Sequence, residues 1–166
     1  SVGELNKNKN HEVVIRALHK IGNKDIHYVI CGEGLLEEYL IQLTKTLKLD
    51  NHVHFLGFRN DIAQILMASD LFVFPSYREG LSVALMEAMI CELPVVCSNI
   101  RGNYDLIEHG RNGLLVNPDQ VNGFSDAIFK MYTDRSIQTI FSRNNKADIN
   151  KYSIKNVTYM MKKIYS

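Results

Sequence analysis

Two carboxylates eight positions apart, Glu79 and Glu87, flank a stretch of backbone suited to holding an anion. Glu79 lies in a polar loop, Ser76 to Gly80. Glu87 lies in the run Leu81 to Cys91, which is nearly all apolar, with Ser82 and Glu87 its polar positions, so the run reads as a helix buried on most sides. At about 1.5 Å per residue the carboxylates stand roughly 12 Å apart along the axis. Between them, the N–H groups of Gly80, Leu81 and Ser82 lack intrahelical partners, at the helix end whose partial positive charge favours phosphate. Such a site suits a nucleoside diphosphate sugar, with the diphosphate on the amides and each carboxylate accepting hydrogen bonds from one flanking sugar ring. The structural alternative for the same residues is a solvated Glu79 and a buried Glu87 with its own partner.

The elements around this stretch alternate between two kinds. Leu71 to Phe74 is β-branched or aromatic enough for a buried parallel strand, and Pro75 ends it. Upstream, Ser1 to Leu5 reads as the end of a buried strand and Asn6 to Asn10 as a polar turn. A helix with Val13, Val14, Ala17, Leu18 and Ile21 on one face follows and ends at Gly22-Asn23. His11 and His19 read as helix-surface residues. Ile26 to Cys31 is a second strand, and Gly32-Glu33-Gly34 turns into a helix over Leu35 to Leu47. That strand, turn and helix suit nucleotide binding, while tight packing explains the glycines equally well. Val53 to Leu56 is a third strand, and Asp61 is placed to cap a helix over Ile62 to Ala68.

Beyond Pro94, Val95 to Cys97 and Leu114 to Val116 are strands, separated by a loop at Asn99 to Asn103 and a short helix at Tyr104 to His109. Asn117-Pro118-Asp119 is placed to cap a helix reaching about Tyr132. From Asp134 the pattern is helical, with apolar stripes at Ile137, Ile140 and Phe141, then Ile154, Val157, Met160, Met161 and Ile164. Six strands alternating with helices give an α/β domain with a parallel sheet covered on both faces.

Composition narrows the function. The 166 residues are 46% hydrophobic with three prolines, enough apolar material for one ordinary domain. Lys plus Arg is 19 against 18 for Asp plus Glu, and the net charge of +1 gives no support to nucleic acid as the main ligand. Cys31, Cys91 and Cys97 sit in or beside apolar runs and read as reduced thiols without metal spacing. No apolar run approaches the ~20 residues needed to cross a bilayer, and no signal-peptide layout is visible, so the chain reads as cytoplasmic.

The stretch Pro75-Ser76, Glu79-Gly80, Glu87-Ala88-Met89 and Pro94-Val95-Val96 resembles the signature of the family 4 glycosyltransferases, also called glycosyl transferases group 1, built on the two-domain GT-B fold. The resemblance covers nearly the whole chain. It implies the Rossmann-like donor half of that fold over 1–166, with C-terminal helices from about 134 and an N-terminal acceptor domain absent from this chain. It also implies roles: Glu79 toward the transferred sugar as the catalytic candidate, the amides of Gly80, Leu81 and Ser82 toward the phosphates, and Glu87 toward the ribose. Ser82 replaces a frequent Gly, which keeps the amide and adds a hydroxyl. Phe58 and Arg59 match positions near the nucleobase, and Arg101 and Gly102 belong to a loop near the cleft. Where the family carries an Arg and a Lys five positions later to reach the diphosphate, this chain has Glu4 and Lys9. Half of that basic pair is missing, and Lys7 is a candidate substitute.

The implied activity is metal-independent transfer, with retention, of a hexose from a UDP-linked donor. The acceptor would be a glycan or lipid-linked and bound through the missing domain, in bacterial capsule or exopolysaccharide assembly. No cofactor is required, and the whole enzyme would work at the inner face of the cell membrane. Alternatives are a sugar-nucleotide epimerase of the same architecture, whose catalytic acids are spread over two domains, or a nucleotide-binding module without turnover.

Overall fold

The computed structural model describes residues 1–150. Helix α1 (His11–Ile21) forms where its pattern places it, burying Val13, Val14, Ile15, Ala17 and Leu18, and it stops at Gly22, whose left-handed backbone lets its N–H bond back to Leu18. Strand β1 (Tyr28–Ile30), helix α2 (Glu37–Thr46), strand β2 (Val53–Phe55), helix α3 (Ile62–Met67) and strand β3 (Phe72–Phe74) follow. Helix α4 (Val83–Ile90), strands β4 (Val95–Ser98) and β5 (Gly113–Val116), and helices α5 (Val121–Thr133) and α6 (Arg135–Ile149) complete the order.

Every pairing between these strands is parallel: β1 with β2, and β3-β4-β5 in that order. The strand period of two then sorts side chains to opposite faces. Val73, Val96, Leu114 and Val116 pack with α1 and α5, whereas Phe72, Phe74, Val95 and Cys97 pack with Leu85, Ala88 and Met89 of α4. Helices therefore cover both faces of the three-stranded sheet.

Several expectations are corrected. Five strands form among the described residues, because Ser1 to Leu5 contributes only an isolated bridge from Val2 to Cys31. The hydrogen-bonded ladders form two sheets where one was expected. Tyr104 to His109 forms no helix: turns end at Leu106, with Leu106 and Ile107 N–H donating to the Asn103 carbonyl, and His109 makes an isolated bridge to Gly113. Helix α2 starts two residues late and leaves Leu35 95% exposed. Asp61 does not cap α3; its carboxylate is taken by Arg59 at 2.6 and 2.8 Å. Residues 117–119 do not cap α5 either, since Gln120 stands at its N-cap and Asn117 Oδ1 accepts from the Asp119 N–H instead. His11 is 2% exposed and hydrogen-bonded through Nδ1 to the Tyr28 hydroxyl, against its reading as a surface residue. The stripe Ile154, Val157, Met160, Met161 and Ile164 lies outside the described residues.

Candidate functional site

The segment Gly3 to Asn10 joins the two sheets. Its first part lies along the end of β1, with Gly3 N–H donating to the Cys31 carbonyl at 2.9 Å and Leu5 N–H to the Glu33 carbonyl at 2.9 Å. A Cβ on Gly32 would stand 2.0 Å from the Gly3 carbonyl oxygen, so the glycine turn after β1 serves close backbone packing. The segment's last part reaches the loop after β3. Tyr77 N–H donates to the Asn8 carbonyl at 2.8 Å, Asn8 Nδ2 donates to the Arg78 carbonyl at 2.9 Å, and Lys9 Nζ meets Glu79 Oε1 at 2.7 Å.

This ion pair is the centre of the site. Its side chains are 21% and 12% exposed, and the Lys9 ammonium also sits 5.1 Å from the centroid of the Phe74 ring, a favourable place for a cation. Directly after Glu79 come Gly80 and Leu81, both exposed, and then Ser82, buried, whose Oγ accepts from the Leu85 N–H at 3.4 Å as the N-cap of α4. The loop after β4 supports this backbone from the other side: Gly102 stands so close that a Cβ on it would lie 2.2 Å from the Gly80 carbonyl oxygen. Beside these loops, the buried hydroxyls of Ser76 and Ser98 and Oδ1 of Asn103 have no partner among the described residues.

The other expected residues are placed differently. Glu87 is exposed on α4, on a stripe with Val83 and Ile90 spaced four before and three after it, so the helix is not buried on most sides. Its seven apolar neighbours in sequence divide between a buried face and this open one. Phe58, 73% exposed, and Arg59 follow β2 in the other sheet and line an open depression of about 370 Å³ with Asn60 and Asp61. The Phe58 N–H donates to Glu33 at 3.2 Å, and Arg59 is held by Asp61, which lies below the usual carboxylate range through that bond. Glu4 is exposed. A larger cavity, about 560 Å³ and lined by Ser1, Asp25, His27, Tyr28 and Arg135 among others, contains none of the expected site residues. No three His, Cys, Asp or Glu side chains are gathered to hold a metal among the described residues.

Fold and site together define the C-terminal half of the GT-B architecture: parallel strands, helices on both faces, and a cation, a carboxylate and a helix N-terminus brought together by the Gly3–Asn10 segment and the loops after β3 and β4. The chain belongs to the glycosyl transferases group 1 family, whose model matches residues 1–148. Among its relatives, the Campylobacter jejuni N-acetylgalactosamine-N,N'-diacetylbacillosaminyl-diphospho-undecaprenol 4-alpha-N-acetylgalactosaminyltransferase is 35% identical over 147 residues, 88% of this chain and 40% of the relative. The Escherichia coli UDP-Gal:alpha-D-GlcNAc-diphosphoundecaprenol alpha-1,3-galactosyltransferase is 36% identical over 121 residues, 72% of this chain and 31% of that protein. The crystal structure of Anabaena Alr3699/HepE in complex with UDP superposes with a TM-score of 0.90 at 28% identity, covering 99% of this chain and 48% of that one. The chain thus spans less than half the length of these proteins.

Two residues that the sequence does not single out carry much of the local geometry. Asn10, left-handed at φ 51° and ψ 37°, stands before α1 and donates from Nδ2 to the carbonyls of Pro75 at 3.2 Å and Pro118 at 2.9 Å. Asn8 binds the loop after β3 through both backbone and side chain. Left-handed backbone at an asparagine is the one signal that sequence could have offered, because Asn and Gly tolerate it.

Proposed function

We propose that this chain is the donor-binding part of a retaining, metal-independent hexosyltransferase that uses a UDP-linked sugar and acts on a glycan or lipid-linked acceptor in bacterial polysaccharide assembly. The observation that carries this reading is the Lys9–Glu79 pair at 2.7 Å, set immediately before the amides of the α4 N-terminus. In this reading the diphosphate lies on the amides of Gly80, Leu81 and Ser82 beside Lys9, and Glu79 orients the sugar at the junction between phosphate and ring. As the anomeric carbon–oxygen bond breaks, charge collects on the leaving diphosphate, where Lys9 and the helix dipole stabilise it without reorganising. The acceptor hydroxyl oxygen then bonds the anomeric carbon on the face the diphosphate leaves, and its proton passes to the departing diphosphate oxygen. Glu87 serves the ribose, and Phe58 with Arg59 the base. Donor chemistry is supported by the UDP in the Anabaena structure, and a lipid-linked acceptor by the names of the Campylobacter and Escherichia relatives. No described helix is long and apolar enough to cross a membrane. Peripheral work at the cytoplasmic membrane face is part of the same proposal, for a lipid-linked acceptor. The acceptor is assigned to parts of the enzyme outside this chain, and the chain alone is expected not to turn over.

Calorimetric titration tests the binding half of the proposal. UDP is expected to bind at least tenfold more tightly than uridine, and Lys9→Ala and Glu87→Ala each to weaken UDP binding by about tenfold, the equivalent of one charge-assisted hydrogen bond at ~1.5 kcal/mol. Equal affinities for UDP and uridine, or for the parent and both variants, would sink the assignment. A screen of nucleotide sugars against the full-length enzyme, scored by product, tests the transfer half.

A further inference from the structure

We infer that Asn10 and Asn8 are positioning residues for the donor diphosphate: they form a clasp that fixes Lys9 over the loop bearing Glu79, and the site's selectivity for a diphosphate depends on it. The inference rests on the donor reading above and goes further by assigning the alignment of its cation.

The geometry is that of a short strap tied at three points. Asn8 takes the Tyr77 N–H on its carbonyl and gives Nδ2 to the Arg78 carbonyl, so the backbone on either side of residue 78 is held in register with residue 8. Asn10 uses both hydrogens of its amide, one on the Pro75 carbonyl at the end of β3 and one on the Pro118 carbonyl beyond β5. Lys9 lies between the two, its N–H held by Asn6 Oδ1 at 3.0 Å and its stem against Gly3, where a Cβ would approach it to 3.1 Å. The partners are 65 to 108 positions away in sequence. The strap therefore spans the ends of two strands that are not neighbours, β3 and β5, with β4 between them.

Electrostatics makes this alignment consequential. Glu79 already meets the Lys9 ammonium, and a diphosphate would bring further negative charge to the same cation. Attraction between Lys9 and a phosphate oxygen falls quickly once a water layer separates them, because the dielectric then approaches that of solvent. A loop displaced by about the width of one water layer would keep its charge and lose the contact. Fixing the ammonium with neutral amide hydrogen bonds adds no charge of its own to the site.

The test separates alignment from general stability. Asn10→Gly keeps the left-handed backbone and removes the amide with both donated hydrogens, Asn10→Asp keeps the shape but adds a negative charge and so reads the site's electrostatics, and Asn8→Ala removes one tie while leaving α1 untouched. Titrations of the 166-residue chain with UDP and with uridine are run at a temperature where circular dichroism shows each variant folded. The expected result is a loss of UDP affinity of about fivefold or more in Asn10→Gly and Asn8→Ala, with uridine affinity changed by less than about twofold, so that the UDP-to-uridine preference collapses. Equal loss for both ligands, or loss for neither, overturns the clasp and assigns the two asparagines to folding alone. If Asn10→Gly and Asn10→Asp do not fold, Asn8→Ala decides by the same ratio. Should the parent chain bind UDP no better than uridine, the donor reading fails and takes the clasp with it, an outcome distinguishable because it shows in the parent.

Discussion

Lys9 faces a choice between two anions. Its ammonium rests on Glu79 at 2.7 Å, yet a donor diphosphate on the α4 amides would compete for the same charge. The pair is partly exposed, so its own contribution is modest, of the order of 1 kcal/mol. Glu79→Gln removes that competitor and one negative charge beside the phosphates. It is expected to tighten UDP binding about threefold at low salt while lowering turnover of the full-length enzyme about a hundredfold, because the sugar loses its charged acceptor. Titration with UDP and a rate measurement check the two halves, and unchanged UDP affinity would show that Lys9 is not shared. Glu79 and Lys9 are legible in sequence as candidates because their types and spacing match a known signature. Their mutual contact is not, since seventy positions separate them and nothing local marks the pairing. Asn8 and Asn10 are less legible still: their partners are backbone carbonyls, which have no side-chain identity to read. Glu87 reads as buried in sequence because an apolar run looks alike whether a helix is covered on one face or on all of them.

The loops after β3 and β4 act as one element, and Gly102 is where they touch. Its φ of +90° and the 2.2 Å that would separate an added Cβ from the Gly80 carbonyl oxygen leave no room for a side chain. Gly102→Ala is therefore expected to push the Glu79–Gly80 backbone away, lowering stability by about 2 kcal/mol from strain and displacement. It should also weaken UDP binding in the fraction that remains folded. Denaturant unfolding and a UDP titration read the two effects, and a variant with parent-like values in both would mean the contact is not maintained in solution. Element types are largely readable, since α1 and the five strands lie where periodicity puts them. Caps are not: Asp61 and residues 117–119 have the right chemistry to cap, but Arg59 and local turn bonds claim them first. The opening segment looks like a strand because Val2 and Leu5 are apolar, whereas the carbonyls of Cys31 and Glu33 take its N–H groups in a way that forms one bridge and then a strap.

Beneath that strap the whole molecule carries a proton-linked liability. His11 opens α1, is 2% exposed, and hydrogen-bonds Tyr28 of β1, so it lies where the strap, the first helix and the first strand meet. Burial, reinforced by Lys9, lowers its pKa to about 3 from the ordinary 6.5. The imidazole is therefore neutral when the chain is folded and takes up a proton below about pH 6.5 only when it unfolds. Folding loses nothing on this account above that pH, and loses progressively more as the pH falls toward 3, at up to about 1.4 kcal/mol per unit. Between about pH 7.5 and about pH 5.5 the loss from this one group comes to about 1.4 kcal/mol by the same linkage. His11→Gln is expected to be about 1 kcal/mol less stable than the parent at the higher pH, for want of the Tyr28 bond, but to lose correspondingly less on acidification. Every other group is common to both proteins, so the comparison isolates His11. Urea unfolding of both chains at the two pH values measures the difference directly, and parallel losses would show that His11 gains a proton while the fold is intact, leaving the strap with a charged residue at its base.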